Sequence, residues 1–266
     1  MSNAALKTRP MPTRKRRPRS GTNITSVPPK SRALPIAQPP VEAVAVAAPL
    51  YPAWYRSDAY ALVNALTHGA GLALSIVGAL VMSATVLATG DPWRIAGCGV
   101  FVAAMMAVYA ASTLSHSGFA ARWRTFLRRV DQGVIYFLVV ATYTPFGLAY
   151  LRTGAGWLLL AALWTGALVG FLSKVLFAHR LESGLIWTYV ALGVLPTITI
   201  PWLLPHVPAG TGPWMFAGGL CYLVGTIFLL NDARVRPFHA VWHLLVIAGT
   251  ACHFVAIMAA VASAAS

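Results

Sequence analysis

Residues 95–116 read IAGCGVFVAAMMAVYAASTLSH, 22 positions without an Asp, Glu, Lys or Arg, and the stretch that follows, SGFAARWRTFLRR at 117–129, carries four arginines. A helix needs about 20 apolar residues to cross the hydrocarbon core of a bilayer. The run meets that length and stops at a basic cluster. The rest of the chain agrees, with 58% of its 266 residues hydrophobic, only 10% charged, and a mean hydropathy of +0.69. An ordinary soluble domain has about a quarter of its residues charged, so a water-soluble enzyme is excluded.

The charges are spread unevenly. Residues 1–57 hold 10 of the 20 Lys+Arg, 10 of the 18 prolines and a single acid, Glu42, which leaves 10 basic and 5 acidic side chains for 58–266. The first segment, with RPMPTRKRRPRSG followed by VPPKSRALPIAQPP, has no hydrophobic periodicity and buries too little apolar surface to offset its ordering entropy. It is expected to be a disordered basic tail. No apolar core follows its charged start, so it does not read as a secretory signal peptide. An organelle transit peptide shares this composition and stays open. The run Arg14–Arg19 has the charge to bind nucleic acid or anionic lipid. A solvated tail that helps hold the N-terminus in the cytoplasm is the simpler reading, and no nucleic-acid partner is expected.

Apolar runs of spanning length recur at 60–88, 95–116, 130–150, 156–177, 184–204, 213–230 and 238–261. The predicted fold is therefore all-α, a bundle of seven transmembrane helices over 58–266. Lys and Arg in short loops mark the cytoplasmic side. With the N-terminus inside, that side receives the tail, Arg122, Arg124, Arg128, Arg129, Lys174, Arg180, Arg234 and Arg236, 18 in all, against Arg94 and Arg152 outside. The C-terminus is then outside, opposite to a G-protein-coupled receptor, and the seventh run has no lysine for a retinal Schiff base. Cys98, Cys221 and Cys252 lie scattered in apolar runs and read as small core residues.

Ionisable residues inside spans are rare and point to function. His116 ends the second run, with Ser112 one turn deeper on the same side. Asp131 opens the third. His239 and His243, spaced i,i+4, lie in the first two turns of the seventh, and His68 sits about two turns into the first with Asn64 and Thr67 nearby. All fall at one depth. Three histidines from two helices suit zinc, because neutral imidazole is a good ligand and three protein ligands leave a fourth position for water. The candidate set is His116, His239 and His243. Asp131 is a candidate to take a proton from that water or to orient a ligating histidine, and Ser112 to hydrogen-bond the water or a developing oxyanion. HAVWH lacks the glutamate of H-E-x-x-H, so a zincin reading fails at Ala240. His253 is assigned to packing, His179 and His206 to solvated loops, and Asp58, Glu182 and Asp232 to surface charges or caps.

Four segments carry a resemblance: NALTHGAG at 64–71, YAASTLSH at 109–116, LRRVDQGVIYFLVVATYTPF at 127–146 and FHAVWHLLVIAGTACHF at 238–254. In this order within seven helices, over 58–258, the sequence resembles the hemolysin III family of the progestin-and-adipoQ-receptor superfamily. The resemblance implies zinc held by His116, His239 and His243 near the cytoplasmic face of a bacterial inner membrane, with Ser112 and Asp131 lining the site. His68 belongs to the first-helix motif and supports the site without ligating. Two departures are evident: Tyr60 and Ala61 stand where family members often have a glutamate, and Ala240 replaces another. The leading expectation is a zinc-dependent hydrolase of lipid-like amide or ester bonds, in line with the superfamily's ceramidase-like chemistry. A non-enzymatic regulator of membrane-lipid homeostasis with structural zinc is the alternative, and a pore-forming cytolysin a poorer third. Membrane lipids are the expected partners.

Overall fold

A computed structural model of the chain describes residues 58–117, 121–177, 185–235 and 237–262. The expected tail at 1–57, and with it Arg180, Glu182, His179 and Arg236, lies outside the described residues. Those that are described form helices and turns, with no strand among them. Seven helices are long and apolar enough to span a membrane. In chain order they are Asp58–Ala88, Pro92–His116, Ala121–Tyr150, Gly154–Phe177, a compound fifth from Leu185 to His206, Thr211–Leu230 and Phe238–Ala262.

Two helix starts and the regularity of the fifth span differ most from the sequence reading. The second helix starts at Pro92 rather than 95, because Asp91 caps it by accepting from the Trp93 amide at 2.9 Å and Pro92 fits the first turn. The third starts at Ala121 rather than 130, so the arginine-rich run is helix and not loop. Arginine is a good helix former, and Trp123 and Phe126, both half exposed with rings 6.2 Å apart, suit the membrane–water interface. Asp131 therefore lies ten residues into the third helix instead of opening it. The fifth span, expected to be continuous, is α-helical over Leu185–Val194, then 3-10 over Leu195–Thr199, α over Ile200–Leu203 and 3-10 over Leu204–His206. Pro196, Pro201 and Pro205 each remove a backbone donor and break the regular ladder.

The second helix packs between the first and third, the third against the fourth, the sixth against the seventh, and the seventh closes on the first. Met82, Phe101, Met105, Phe146 and Ile257 join the first, second, third and seventh helices in one core. Tyr136, Tyr143, Leu163 and Tyr189 join the third, fourth and fifth in another. The second and third helices come so close that a Cβ on Gly97 would lie 2.7 Å from the Cα of Pro145, the small-residue contact by which helices approach in lipid. The outer faces are apolar: Leu80 is 69% exposed, and Leu158 and Phe216 are each 73% exposed. In water such a surface would aggregate, whereas against acyl chains it is the stable arrangement.

Short connections make successive helices antiparallel. One end of the bundle gathers Arg124, Arg128, Arg129 and Arg234; we call it the basic end. Lys174, counted above with the connections, lies inside the fourth helix near this end and is buried, its Nζ donating to Gln132 Oε1 at 3.3 Å. At the opposite end Arg94 donates through Nη1 to the Ala260 carbonyl at 2.7 Å and to Tyr150 Oη at 3.3 Å, and pairs with Asp91 at 3.3 Å. The Tyr150 hydroxyl donates to the same carbonyl at 3.0 Å. Arg94 thus ties the second, third and seventh helices together.

Candidate metal centre

His116 is the last residue of the second helix, and His239 and His243 sit one turn apart near the start of the seventh. A 3.6-residue repeat turns an i,i+4 pair to one side, and the packing of the first, second and seventh helices brings that side to His116. Ring centroids are 5.3 Å apart for His116 and His239, 5.4 Å for His116 and His243, and 4.5 Å for the i,i+4 pair. One ring nitrogen from each lies within 4.8 Å of the other two, close enough to share an ion.

Hydrogen bonds set which nitrogen is available. The Thr67 hydroxyl donates to the Asn64 carbonyl at 2.9 Å and lies 3.1 Å from His243 Nδ1. Because its hydrogen is already committed, Thr67 accepts from Nδ1–H, and Nε2 of His243 keeps its lone pair. His239 Nδ1 lies 2.7 Å from Asp232 Oδ2, and a carboxylate there demands the same tautomer. Two imidazoles are thus left with Nε2 as the acceptor nitrogen. An orienting carboxylate or hydroxyl behind a ligating histidine is what a metal site requires. Asp232, read from the sequence as a surface charge or cap, is in fact buried beneath the first turn of the seventh helix. Its signal was the seven-residue separation from His239, which has no meaning until the turn that begins at Asn231 folds back.

Asp131 reaches the same region from the third helix. Its Oδ2 accepts from the Ser115 hydroxyl at 2.7 Å. Ser115, unremarked in the sequence, is therefore the serine that holds this carboxylate. Ser112 is buried one turn away, and its hydroxyl has no hydrogen bond within 3.5 Å among the described residues. His68 packs against His243, the rings tilted by 45° with 3.7 Å between centroids, and both its ring nitrogens are buried without a hydrogen-bond partner among the described residues. Asn64 is fully enclosed beside it. His253, assigned to packing, does pack, its ring 5.4 Å from that of Tyr222 and close against Gly218, where a Cβ would come within 2.7 Å. It also borders the cavity described next. His206 is exposed, with Nδ1 2.8 Å from the Trp202 carbonyl.

The three histidines, Asp131 and Ser112 line one wall of a cavity of about 1970 Å³. Small-molecule sites commonly measure about 300–1,000 Å³, so this space has room for a lipid. It is bounded by the third, fifth and sixth helices and reaches the connection at 208–210 near the opposite end of the bundle. The donor set fits zinc: three imidazole nitrogens, two of them fixed in the required tautomer, facing open space where a fourth ligand could enter.

Comparison with known proteins agrees with this architecture. The family model described as Haemolysin-III related matches residues 60–254. The chain is 33% identical to the Hemolysin-3 homolog of Bacillus subtilis (strain 168) over 197 residues, covering 74% of this chain and 92% of that one. To Hemolysin-3 of Bacillus cereus it is 34% identical over 198 residues, 74% and 90% of the two chains. A more distant similarity, 25% over 206 residues and 73% and 81% of the chains, is to the human Monocyte to macrophage differentiation factor, consistent with the progestin-and-adipoQ-receptor superfamily. On these matches and its seven spanning helices, the chain belongs to the hemolysin III family of integral membrane proteins.

Proposed function

We propose that this protein is a zinc-dependent hydrolase of lipid-like amide or ester bonds, acting at the cytoplasmic leaflet of a bacterial inner membrane with its N-terminus inside. The observation that carries the reading is a three-histidine cluster, its tautomers set by Asp232 and Thr67, on the wall of a cavity large enough for a lipid. His116, His239 and His243 would hold zinc there, which would supply Lewis acidity toward a carbonyl and lower the pKa of water toward neutral. The rest of the chemistry belongs to the chain. Asp131 keeps Oδ2 engaged by Ser115, which leaves Oδ1 to take a proton from the attacking water and return it to the departing amine or alcohol. The Ser112 hydroxyl would donate to the carbonyl oxygen as it gains charge. The bond cleaved is the acyl C–N or C–O bond, and water is divided between the acid and the amine or alcohol released.

One observation favours a second reading. The three histidines come from the second and seventh helices, so zinc shared between them would also act as a structural clamp in a non-enzymatic regulator of membrane-lipid state. Metal analysis of the wild type beside His116→Ala, His239→Ala and His243→Ala tests the site. About one zinc per chain is expected, lost in each variant, and a metal-free wild type after zinc-replete expression removes both readings. Ser112→Ala and Asp131→Asn then separate them. Zinc retained with hydrolysis of a short-chain ceramide or acyl ester lowered about 100-fold or more supports catalysis; an unaltered membrane phenotype in both variants supports the clamp.

A further inference from the structure

The face that the third helix turns to the cavity is graded along its length. Arg124, Arg128 and Arg129 line it at the basic end, Asp131 and Gln132 come next, and Ile135, Leu138 and Val139 continue toward Tyr143. At 1.5 Å per residue, Arg128 stands about 4.5 Å and Arg124 about 10 Å from Asp131 along the helix axis, while Tyr143 is about 18 Å away in the other direction. Cationic, then reactive, then apolar groups follow one another on a single wall.

Arg128 interacts electrostatically with Asp131, and among the described residues no acid lies within ion-pair distance of Arg124 or Arg129. Two ion pairs occur among the described residues, Arg94 with Asp91 and His239 with Asp232, and neither includes Arg124, Arg128 or Arg129. The two described acids on the cavity wall are Asp131, which accepts from Ser115 and lies near Arg128, and Asp232, bonded to His239. Lys174 adds a cationic group to the same wall, donating to Gln132. Arg124 and Arg128 are exposed on this wall at the basic end, where their guanidinium forks match phosphate oxygens.

From this gradient we infer that the cavity is a binding site for an anionic amphiphile, its phosphate held by Arg124 and Arg128 and its chain laid along Ile135 and Val139 toward the broken fifth helix. The inference deepens the hydrolase reading by naming the charge of the substrate's head, and it rests on that reading only for the fate of the bound lipid. The site itself needs no metal.

The test uses purified full-length protein in dodecyl maltoside and measures binding of radiolabelled dodecyl phosphate, dodecanol and inorganic phosphate. Dodecyl phosphate should bind at least about tenfold more tightly than dodecanol, and inorganic phosphate should compete weakly, because the chain contributes most of the buried area. The double variant Arg124→Gln/Arg128→Gln should weaken dodecyl phosphate about tenfold or more and leave dodecanol within twofold; Arg124→Lys/Arg128→Lys should recover most of the loss. Gly219 borders the cavity, and a Cβ added there meets no atom within 4 Å. Gly219→Leu should therefore fill the space without strain and weaken both amphiphiles. Arg152→Gln, at the other end of the bundle, should change neither. Thermal melting of each variant checks that it is folded. Equal binding of dodecyl phosphate and dodecanol, or wild-type binding by the glutamine pair, overturns the inference. So does full dodecyl phosphate binding by Gly219→Leu, which would place the anion on the outer surface. If the wild type holds no zinc yet shows the expected pattern, the hydrolase reading fails and the anion site stands. If zinc and hydrolysis are present and the glutamine pair binds normally, the anion site alone fails.

Discussion

Replacing Asp232 with alanine removes the carboxylate that holds His239 in its tautomer, and the cost can be worked from the geometry. The 2.7 Å contact is partly buried and charge-assisted, and hydrogen bonds of this kind contribute about 1.5–3 kcal/mol. At 1.4 kcal/mol for each factor of ten, zinc affinity should fall about 10- to 100-fold, which is also the usual range for partners behind a ligating histidine. Asp232→Asn keeps an acceptor but loses the charge, so it should sit near the lower end. Thr67→Val removes a neutral bond to His243, worth about 1 kcal/mol, and should cost only about fivefold. The order expected is Asp232→Ala, then Asp232→Asn, then Thr67→Val. Affinity is measured by competition with a chromophoric zinc chelator in detergent, alongside thermal melting in excess chelator to show that the metal-free forms are equally stable. Wild-type affinity in Asp232→Ala, or a larger loss in Thr67→Val, would refute the tautomer argument even if the histidines bind zinc.

Other regions give independent outcomes. Gly97→Ala drives a Cβ to 2.7 Å from the Pro145 backbone and should cost about 1–3 kcal/mol, seen as a lower Tm, whereas Gly99→Ala, with open space at that position, should be neutral or gain up to about 1 kcal/mol. Arg94→Met removes the bonds to Ala260 and Tyr150 and the pair with Asp91, and should destabilise by about 1.5–3 kcal/mol. It should leave zinc affinity alone, because 22 helical residues, about 33 Å, separate it from His116. Orientation is tested by membrane-impermeant maleimide on intact cells carrying a cysteine-free chain. Thr153→Cys, exposed at the Arg94 end, should label, and Val235→Cys, exposed at the basic end, should label only after lysis.

The three-histidine cluster was legible because it needs only local rules. His239 and His243 share a side by helical repeat, and span counting puts His116 at the same end. Ser115 and Asp232 were not legible, since their roles depend on a partner in another segment. Ser115 looks like any small residue in an apolar helix until the third helix brings Asp131 alongside. Asp232 looks like a loop charge until the turn after the sixth helix folds under His239. The start of the third helix was misplaced for another reason: charge marks the edge of the membrane but not the end of a helix, and arginine continues a helix into the interface.

By itself the sequence determined that this is a helical membrane protein with seven spans and histidines gathered at one end. Hydrocarbon length and the cost of buried charge constrain every residue of a spanning segment, so composition is enough. Tertiary structure alone decided which nitrogens of His239 and His243 stay open, that the fifth span breaks around its prolines, and that a cavity runs from the basic end past the histidines. These depend on distances between helices, set by side-chain fits such as Gly97 against Pro145, and no periodicity along a single helix carries that information.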